Sequence, residues 1–268
     1  MPGVWDPLST RLAARAGFDT VFLSGFCVAG TLLGVPDIGI LGRDDVVGVA
    51  RRVCEAVPNI DVVVDADTGY GDESEVATTV HQWEAAGAAG MFLEDQVWPK
   101  RCGHMDGKEV VDVGVWLGKL RRALAERESL HITARTDALG VLGRDEAVRR
   151  AQMARDLGVD AVFVEAPRSR EDLEAIASQV SGVTLVANMV ERGKTPLATA
   201  DELGEMGFRL VISPVTGLLA SAQAIEAAYG VLAEKGTLRD DLDKVMVFSD
   251  FNDIVGTDNV LVERSKRQ

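Results

Sequence analysis

The sequence predicts an α/β protein, specifically a (β/α)8 barrel of the TIM type. Seven short runs rich in Val, Ile and Leu, each ending in a polar residue, alternate with Ala-rich segments of helical length. Uninterrupted apolar runs of this length are typical of parallel strands that are buried on both faces. The runs recur at about the length of one βα unit, and no G-x-G-x-x-G follows any of them. A barrel is therefore favoured over an open, doubly wound sheet.

The elements can be assigned in chain order. Strands are expected at 19–25, 60–67, 89–95, 131–137, 160–166, 183–189 and 209–214, and the missing first strand at "PGVWD" (2–6). The helical segments 73–87, 144–158 and 199–207 each end on Gly, a common C-terminal stop signal. We predict one barrel domain over 1–268, in which the part from about Gly217 onward is a helical C-terminal extension.

Composition limits the partners and the compartment. The chain carries 42 acidic and 28 basic residues, for a formal charge of −14, which disfavours nucleic acid and anionic membranes as partners. No apolar run approaches the roughly 18 residues of a membrane span. Three cysteines without a secretory signal favour a reducing environment over a disulfide framework. We expect a cytoplasmic protein.

The carboxyl ends of the strands are the expected site, because catalytic residues of barrels collect on that face. The polar and turn residues at these ends are, in order, Ser24, Gly25, Asp65, Asp67, Glu94, Asp95, Arg135, Asp137, Glu165, Asn188, Glu191, Ser213 and Pro214. So many acids at one rim, with a single arginine, indicate a binding site rather than a solvated surface.

Two of these acids suggest a metal site. Asp65 and Asp67 are two residues apart, and such residues share a face of an extended strand. Close carboxylates repel each other unless a cation lies between them, and oxygen-only ligation suits Mg²⁺ or Mn²⁺. Glu94, expected on the next strand, would add a third carboxylate. The alternative is that one Asp only caps the following helix.

Cys102 lies in a loop that is too polar to be core. The flanking cations, including Lys100 and His104, are expected to lower the pKa of its thiol. Gly103 and Gly107 would let this loop close as a lid. The alternative is an incidental surface cysteine. Zinc is disfavoured, because one Cys and one His lack further partners at this spacing.

Two other features could bind an anion. Arg135 could hold a carboxylate in a bidentate fork, or it could form a structural ion pair with Glu94 or Glu165. The segment 24–26 ends a strand and offers backbone N–H groups to an anion. Either feature would help an acidic protein to hold an acidic substrate.

The motifs "VDADTGYG", "EDQVWPKRCGHMDGK", "ARTDA", "VEA" and "ANMVERGKTP" resemble the isocitrate lyase/phosphoenolpyruvate mutase superfamily. The likeness spans nearly the whole chain, and the Lys-Arg-Cys-Gly-His loop is its most specific part. It implies a barrel whose last helix is exchanged between subunits, a homotetramer built as a dimer of dimers, and a Mg²⁺ cofactor at the strand ends.

The resemblance also implies residue roles. The metal residues would be Asp65 and Asp67, with Asp37 and Glu94 in support. The catalytic residues would be Cys102, Glu94, Arg135, Lys100 and His104, with Cys102 protonating the departing carbanion. The substrate-binding residues would be Ser24, Gly25, Phe26, Cys102, Gly103, Arg135, Glu165, Asn188 and Pro214.

Departures from the family pattern suggest the substrate. Methylisocitrate lyases carry substrate-binding arginines where this chain has Leu219 and Phe248, so a tricarboxylate would leave a charge unpaired. The chain is most similar to the dimethylmalate lyase/oxaloacetate hydrolase branch. We expect cleavage of a small dicarboxylate such as 2,3-dimethylmalate, a 2-alkylmalate or oxaloacetate. The alternatives are a carboxyphosphonoenolpyruvate-type phosphonomutase, then a methylisocitrate lyase, and last a non-catalytic binding protein.

Overall fold

Eight parallel strands form one sheet in the order β1 to β8 in the computed structural model, which describes residues 1–257. The strands are β1 Gly3–Val4, β2 Thr20–Leu23, β3 Asp61–Asp65, β4 Gly90–Glu94, β5 His131–Thr136, β6 Ala161–Val164, β7 Thr184–Asn188 and β8 Leu210–Ile212. All seven runs and the proposed first strand are present, though shorter than expected. The barrel prediction is confirmed.

Helices alternate with the strands. They are α1 Pro7–Arg15, α2 Gly25–Val28, α3 Arg43–Ala56, α4 Glu73–Ala86, α5 Val113–Glu126, α6 Leu139–Leu142, α7 Arg144–Asp156, α8 Arg170–Gln179, α9 Ala200–Met206, α10 Thr216–Lys235 and α11 Phe248–Val255. Short π and 3-10 turns lie at Ala29–Leu33 and Leu242–Lys244. The C-terminal extension contains the helices α10 and α11, joined by a segment that is largely not helical, and its last part, 258–268, lies outside the described residues.

Local sequence explains where the helices begin and end. Asp72 begins α4 by accepting hydrogen bonds from two backbone N–H groups of the first turn, at 2.9 and 3.2 Å. Thr199 and Glu202 form a capping box that begins α9. Gly87 and Gly207 end these helices with φ of 89° and 112°, a conformation that costs glycine little. The Gly stop signals read from the sequence are therefore correct.

The barrel closes between β8 and β1. Gly3 N–H donates to Ser213 O at 2.9 Å, and Ser213 N–H donates to Met1 O at 3.0 Å. A side chain at Gly3 would place its Cβ only 1.9 Å from the carbonyl oxygen of Pro214. Glycine is thus required at this seam, which brings Pro214 and the end of β8 to the rim of the barrel.

Two buried clusters fill the structure. The larger lies between the sheet and the helices and includes Trp83 and Trp116. The smaller consists mainly of strand residues, and it contains three rings: Phe22 lies 4.9 Å from Phe92, and Phe92 lies 5.7 Å from Phe163, between ring centroids. Inward-facing residues fill TIM barrels in layers, so we assign this second cluster to the barrel interior. It forms the apolar floor beneath the strand ends.

The strand register places the site residues above this floor. Asp65 is paired with Phe92 on the next strand, and Arg135 with both Glu94 and Phe163. Residues paired across neighbouring strands lie on the same face of the sheet, so these side chains point into the barrel with the phenylalanines.

Candidate active site

A cavity of about 370 Å³ lies at the carboxyl ends of the strands. It collects most of the side chains predicted from the sequence: Ser24, Phe26, Asp37, Asp65, Cys102, Gly103, His104, Arg135, Glu165, Asn188 and Pro214. Four predicted residues do not line it, namely Gly25, Asp67, Glu94 and Lys100. All four are buried.

Arg135 is the cation at the centre of the site. Its guanidinium lies 3.0 Å from Glu94 Oε2, 2.9 Å from Asp137 Oδ2 and 3.4 Å from Glu165 Oε2, and 5.6 Å above the Phe163 ring. Both structural ion pairs considered in the sequence analysis are therefore present. Arg135 still lines the cavity, so it can also meet a substrate carboxylate.

The two glutamates of this cluster have different proton affinities. Burial raises the pKa of Glu94 well above its usual value, although Arg135 opposes the rise. Burial also acts on Glu165, but Arg135 and the hydrogen bond from His104 outweigh it and lower the pKa to about 2. Neighbouring carboxyl groups whose pKa values are pushed apart are typical of catalytic sites.

Lys100 is buried among acids rather than exposed on the loop. Its ammonium lies 2.5 Å from Asp37 Oδ1 and 2.7 Å from Asp67 Oδ1. The expectation that Asp65 and Asp67 share a face assumed an extended strand through 67. The strand ends at Asp65, and Asp67 has a φ of 47°. Consequently, of these two aspartates, Asp65 lines the cavity and Asp67 does not.

The carboxylates at the strand ends fit a divalent metal that keeps part of its water shell. Within residues 1–257, no three His, Cys, Asp or Glu side chains form a ready-made metal cluster. Asp65 nevertheless faces the cavity, where a Cβ on Gly25 would come within 3.0 Å of its Oδ2. Glu94 Oε1 is buried without a hydrogen-bond partner among the same residues. These oxygens fit Mg²⁺, which keeps several waters and uses one or two carboxylates, but they do not fit a closed all-protein cage.

The lid, residues 99–110, lies against the cavity. Cys102 N–H donates to Asp37 O at 3.0 Å, and the thiol lines the cavity. The expectation that flanking cations lower its pKa is wrong. Burial raises the pKa of Cys102 to about 11, with Asp37 adding to the rise. The Lys100 ammonium is bound by two aspartates instead. A thiol that stays protonated can donate a proton, but it is a poor nucleophile.

His104 joins the lid to the end of β7. Its Nδ1 accepts a hydrogen bond from Lys194 N–H at 2.9 Å, and its Nε2 lies 3.4 Å from both Glu165 Oε1 and Asn188 Nδ2. A Cβ on Gly193 would lie 2.6 Å from His104 Nδ1, so only glycine permits this approach. These contacts hold residues 102–104, the lid tip, against the rim of the barrel.

We expect Gly103→Ala to lower kcat/KM roughly tenfold or more, since overpacking of a close contact costs about 1–3 kcal/mol. The new Cβ would lie 2.5 Å from Cγ and Cδ of Glu165, which would push the lid away from the rim. Steady-state kinetics would check this. Gly204→Ala in α9, where a Cβ meets nothing within 4 Å, is the control and should retain full activity. Equal activity of both variants would contradict the close fit of the lid.

Asp95 has a structural role that differs from that of its neighbour Glu94. It is fully buried and accepts hydrogen bonds from Thr136 Oγ1 at 2.6 Å, from Asp137 N–H at 2.8 Å and from Arg150 at 2.9 Å. Alternation along the end of β4 explains the difference, because successive side chains point to opposite faces. Asp95 thus fixes the end of β5, which carries Arg135.

We expect Arg150→Met to destabilise the protein by about 3 kcal/mol, because it leaves the buried Asp95 carboxylate without its cation. Arg149→Met is a matched control: Arg149 also pairs with Glu146, but its side chain is half exposed and does not reach Asp95. Denaturant unfolding should show a loss for the first variant and no measurable change for the second. Equal stabilities would show that the Asp95 ion pair does not hold the fold.

Sequence reasoning missed Lys108 as a site residue. Its ammonium lies 2.6 Å from Asp137 Oδ1 and 2.6 Å from Gly103 O. A lysine at the end of a glycine-rich loop gives no signal of its own, and its partner Asp137 is 29 residues away in the chain.

Leu219 and Phe248, the two positions at which methylisocitrate lyases carry arginines, lie in different environments. Leu219 lines the cavity beside Pro214, so an apolar side chain stands on its wall. Phe248 is 80% exposed and does not line the cavity of its own chain. Of these two positions, only Leu219 therefore bears on what the cavity of its own chain can bind.

Comparisons with known proteins show which proteins this chain is similar to. A family model described as phosphoenolpyruvate phosphomutase matches residues 1–232. The petal death protein of Dianthus caryophyllus is 42% identical over 269 residues, covering 99% of this chain and 84% of that protein. A crystal structure of 2,3-dimethylmalate lyase has a TM-score of 0.94 at 37% identity, covering 99% and 89% of the two chains. Oxaloacetate acetylhydrolase with the inhibitor 3,3-difluorooxalacetate has a TM-score of 0.94 at 33% identity, covering 99% and 91%.

Proposed function

Because the chain belongs to the isocitrate lyase/phosphoenolpyruvate mutase superfamily, we propose that it is a Mg²⁺-dependent enzyme that cleaves a carbon–carbon bond in a small 2-hydroxy or 2-oxo dicarboxylate. The resemblance read from the sequence is thereby confirmed at the family level. The observation that carries the finer proposal is the Cys102 thiol, which lines the cavity and has a raised pKa opposite the acids and the arginine of the strand ends.

The proposed substrate is 2,3-dimethylmalate, a related 2-alkylmalate or oxaloacetate. Two solved structures similar to this chain are those of 2,3-dimethylmalate lyase and of oxaloacetate acetylhydrolase. Leu219 supplies no cation to the cavity wall, which supports a dicarboxylate over a tricarboxylate. Arg135 would bind one substrate carboxylate together with the backbone N–H groups of 24–26.

The proposed metal residues are Asp65, facing the cavity, with Asp37, Asp67 and Glu94 acting through water; Mn²⁺ could replace Mg²⁺. When bound, the metal would stabilise the negative charge on the substrate's 2-oxygen, which becomes the carbonyl oxygen of the 2-oxo acid fragment. Lys100 offsets the charge of two of these acids from the side away from the cavity.

The chain's own residues would handle the substrate. Glu165 and Asn188 would orient its oxygens, and His104 would keep the lid closed over it. For a 2-hydroxy acid, or for oxaloacetate after water has added to its ketone, a base would take the hydroxyl proton. The carbon–carbon bond would then break as that oxygen becomes a carbonyl, and Cys102 would donate its proton to the departing carbanion, which is general-acid catalysis. A thiol that remains protonated at neutral pH suits this role.

The test is the release of pyruvate, oxalate and acetate across a panel of malate and oxaloacetate analogues with Mg²⁺. We expect cleavage of at least one dicarboxylate and little or no cleavage of methylisocitrate. Cleavage of none would contradict the proposal.

The second candidate, a phosphonomutase, is favoured by the description of the matching family model, and phosphorus NMR with a phosphonate substrate would detect its P–C bond chemistry. If Mg²⁺ does not change the melting temperature of the protein, the third candidate, a non-catalytic binding protein, would be favoured.

We also propose a homotetramer, a dimer of dimers that exchanges its last barrel helix. The support is α10, a helix of 20 residues with no buried residue, on which Ile225, Tyr229 and Leu232 are exposed. A subunit that packs against this apolar helix would bury it. Sedimentation analysis should give four chains per particle.

A cytoplasmic location is proposed from the three free cysteines. Among the described helices, none is long and apolar enough to cross a membrane.

A further inference from the structure

Lys108 is a buried cation beside the site that has no role in the proposed reaction. We propose that it is a positioning residue, which fixes the lid tip and so places the Cys102 thiol over the cavity. This inference rests on the proposed function, because it concerns the placement of the proposed proton donor.

Lys108 is anchored at the base of the lid. Val97 N–H donates to Glu109 O at 2.9 Å, and Gln96 forms an antiparallel bridge with Val110. These contacts hold the backbone on both sides of the lid together as a short stem. Lys108 directly precedes the second side of this stem, so its backbone is held next to the stem and its side chain can restrain the rest of the lid.

From this anchor, the Lys108 side chain reaches inward. Its ammonium donates to Gly103 O at 2.6 Å and contacts Asp137 Oδ1 at 2.6 Å, and its side chain is only 5% exposed. One ammonium thus joins the base of the lid, its tip and the end of β5.

The charge balance of the site favours this contact. Three buried carboxylates, those of Glu94, Asp137 and Glu165, share the single guanidinium of Arg135. Lys108 supplies a second cation to Asp137. A buried carboxylate that loses one of its cations destabilises the fold, so Asp137 holds the Lys108 ammonium in place. The ammonium in turn holds the lid tip.

The accepting carbonyl explains why this contact would affect chemistry. Gly103 lies between Cys102 and His104, so fixing its carbonyl orients the peptide that leads to the thiol on one side and the imidazole on the other. Lys108 itself does not line the 370 Å³ cavity. It would therefore act through Cys102 and His104 and would not touch the substrate.

The experiment compares the wild-type enzyme with Lys108→Met and Lys108→Arg, using Lys235→Met as the control. Lys235 is a lysine at the end of α10 that also pairs with an aspartate. The first readout is the rate at which iodoacetamide alkylates Cys102, followed by peptide mass spectrometry at one pH. The second is kcat and KM separately.

We expect Lys108→Met to speed alkylation of Cys102 about tenfold or more, because the tip is released, and to lower kcat by a similar factor with a smaller change in KM. Lys108→Arg should recover part of both effects, and Lys235→Met should match the wild type. Alkylation of Cys102 at the wild-type rate in Lys108→Met would overturn the inference. A fall in kcat that is explained entirely by partial unfolding, seen as a lower melting temperature, would also overturn it. The alkylation readout does not need turnover, so an enzyme that cleaves no substrate on the panel would overturn the proposed function while still testing Lys108.

Discussion

Replacing Cys102 with alanine should lower kcat by about 10²–10⁴-fold, the usual contribution of a positioned general acid. The thiol lines the cavity, and burial raises its pKa to about 11, so it carries a proton at neutral pH. Alanine cannot supply that proton to the departing carbanion. Cys102→Ser should be almost as slow, because a hydroxyl is a weaker acid than a thiol. Product release under saturating substrate is the measurement.

A matched control is Cys54→Ala. Cys54 lies in α3, is partly buried, and burial raises its pKa to about 11 as well, but it does not line the cavity. This variant should keep wild-type kcat. If Cys102→Ala or Cys102→Ser retained full activity on every accepted substrate, the general-acid role of Cys102 would be wrong.

Replacing Asp65 with asparagine should lower activity by about 10²-fold or more at a fixed Mg²⁺ concentration, since a catalytic metal contributes several kcal/mol to the transition state. Asp65 is the strand-end carboxylate that faces the cavity without a lysine partner, whereas Asp67 is held by Lys100. The Mg²⁺ concentration that gives half-maximal activity should rise. A Mg²⁺ titration of the reaction rate would measure both effects.

Asp61→Asn is the control for this change. Asp61 is exposed at the opposite end of the same strand, so its loss should leave the Mg²⁺ dependence unaltered. An Asp65→Asn enzyme with the activity and Mg²⁺ requirement of the wild type would show that the metal is not held at this carboxylate.

The barrel could be predicted because its signals are local. Each buried strand is a continuous apolar run, and the polar residue that ends it marks the rim. Arg135, Glu165 and Asn188 were placed correctly on the cavity wall for this reason. The two-residue strand β1 is also predicted, because a barrel of eight strands needs one strand more than the seven apolar runs supply.

The partners of Lys100 could not be predicted, because this pairing joins residues that are far apart in the chain. Lys100 is 63 residues from its partner Asp37, and this pairing removes the cation that was expected to lower the pKa of Cys102. The turn after β3 could not be predicted either. The alternation of side chains holds only for an extended strand, and the backbone at Asp67 is left-handed. Sequence patterns fix which residues reach the rim, and packing decides which of them pair.

The central claim is that the carboxylates at the strand ends hold a divalent ion and that the lid brings the Cys102 thiol onto the substrate beside it. A crystal structure with Mn²⁺ and oxalate tests this most directly, because anomalous scattering identifies the metal. The account predicts Mn²⁺ at the Asp65 carboxylate, with oxalate between it and Arg135 and the Cys102 sulfur against the oxalate. Mn²⁺ bound away from the strand ends, or a lid that keeps the sulfur away from the oxalate, would contradict it.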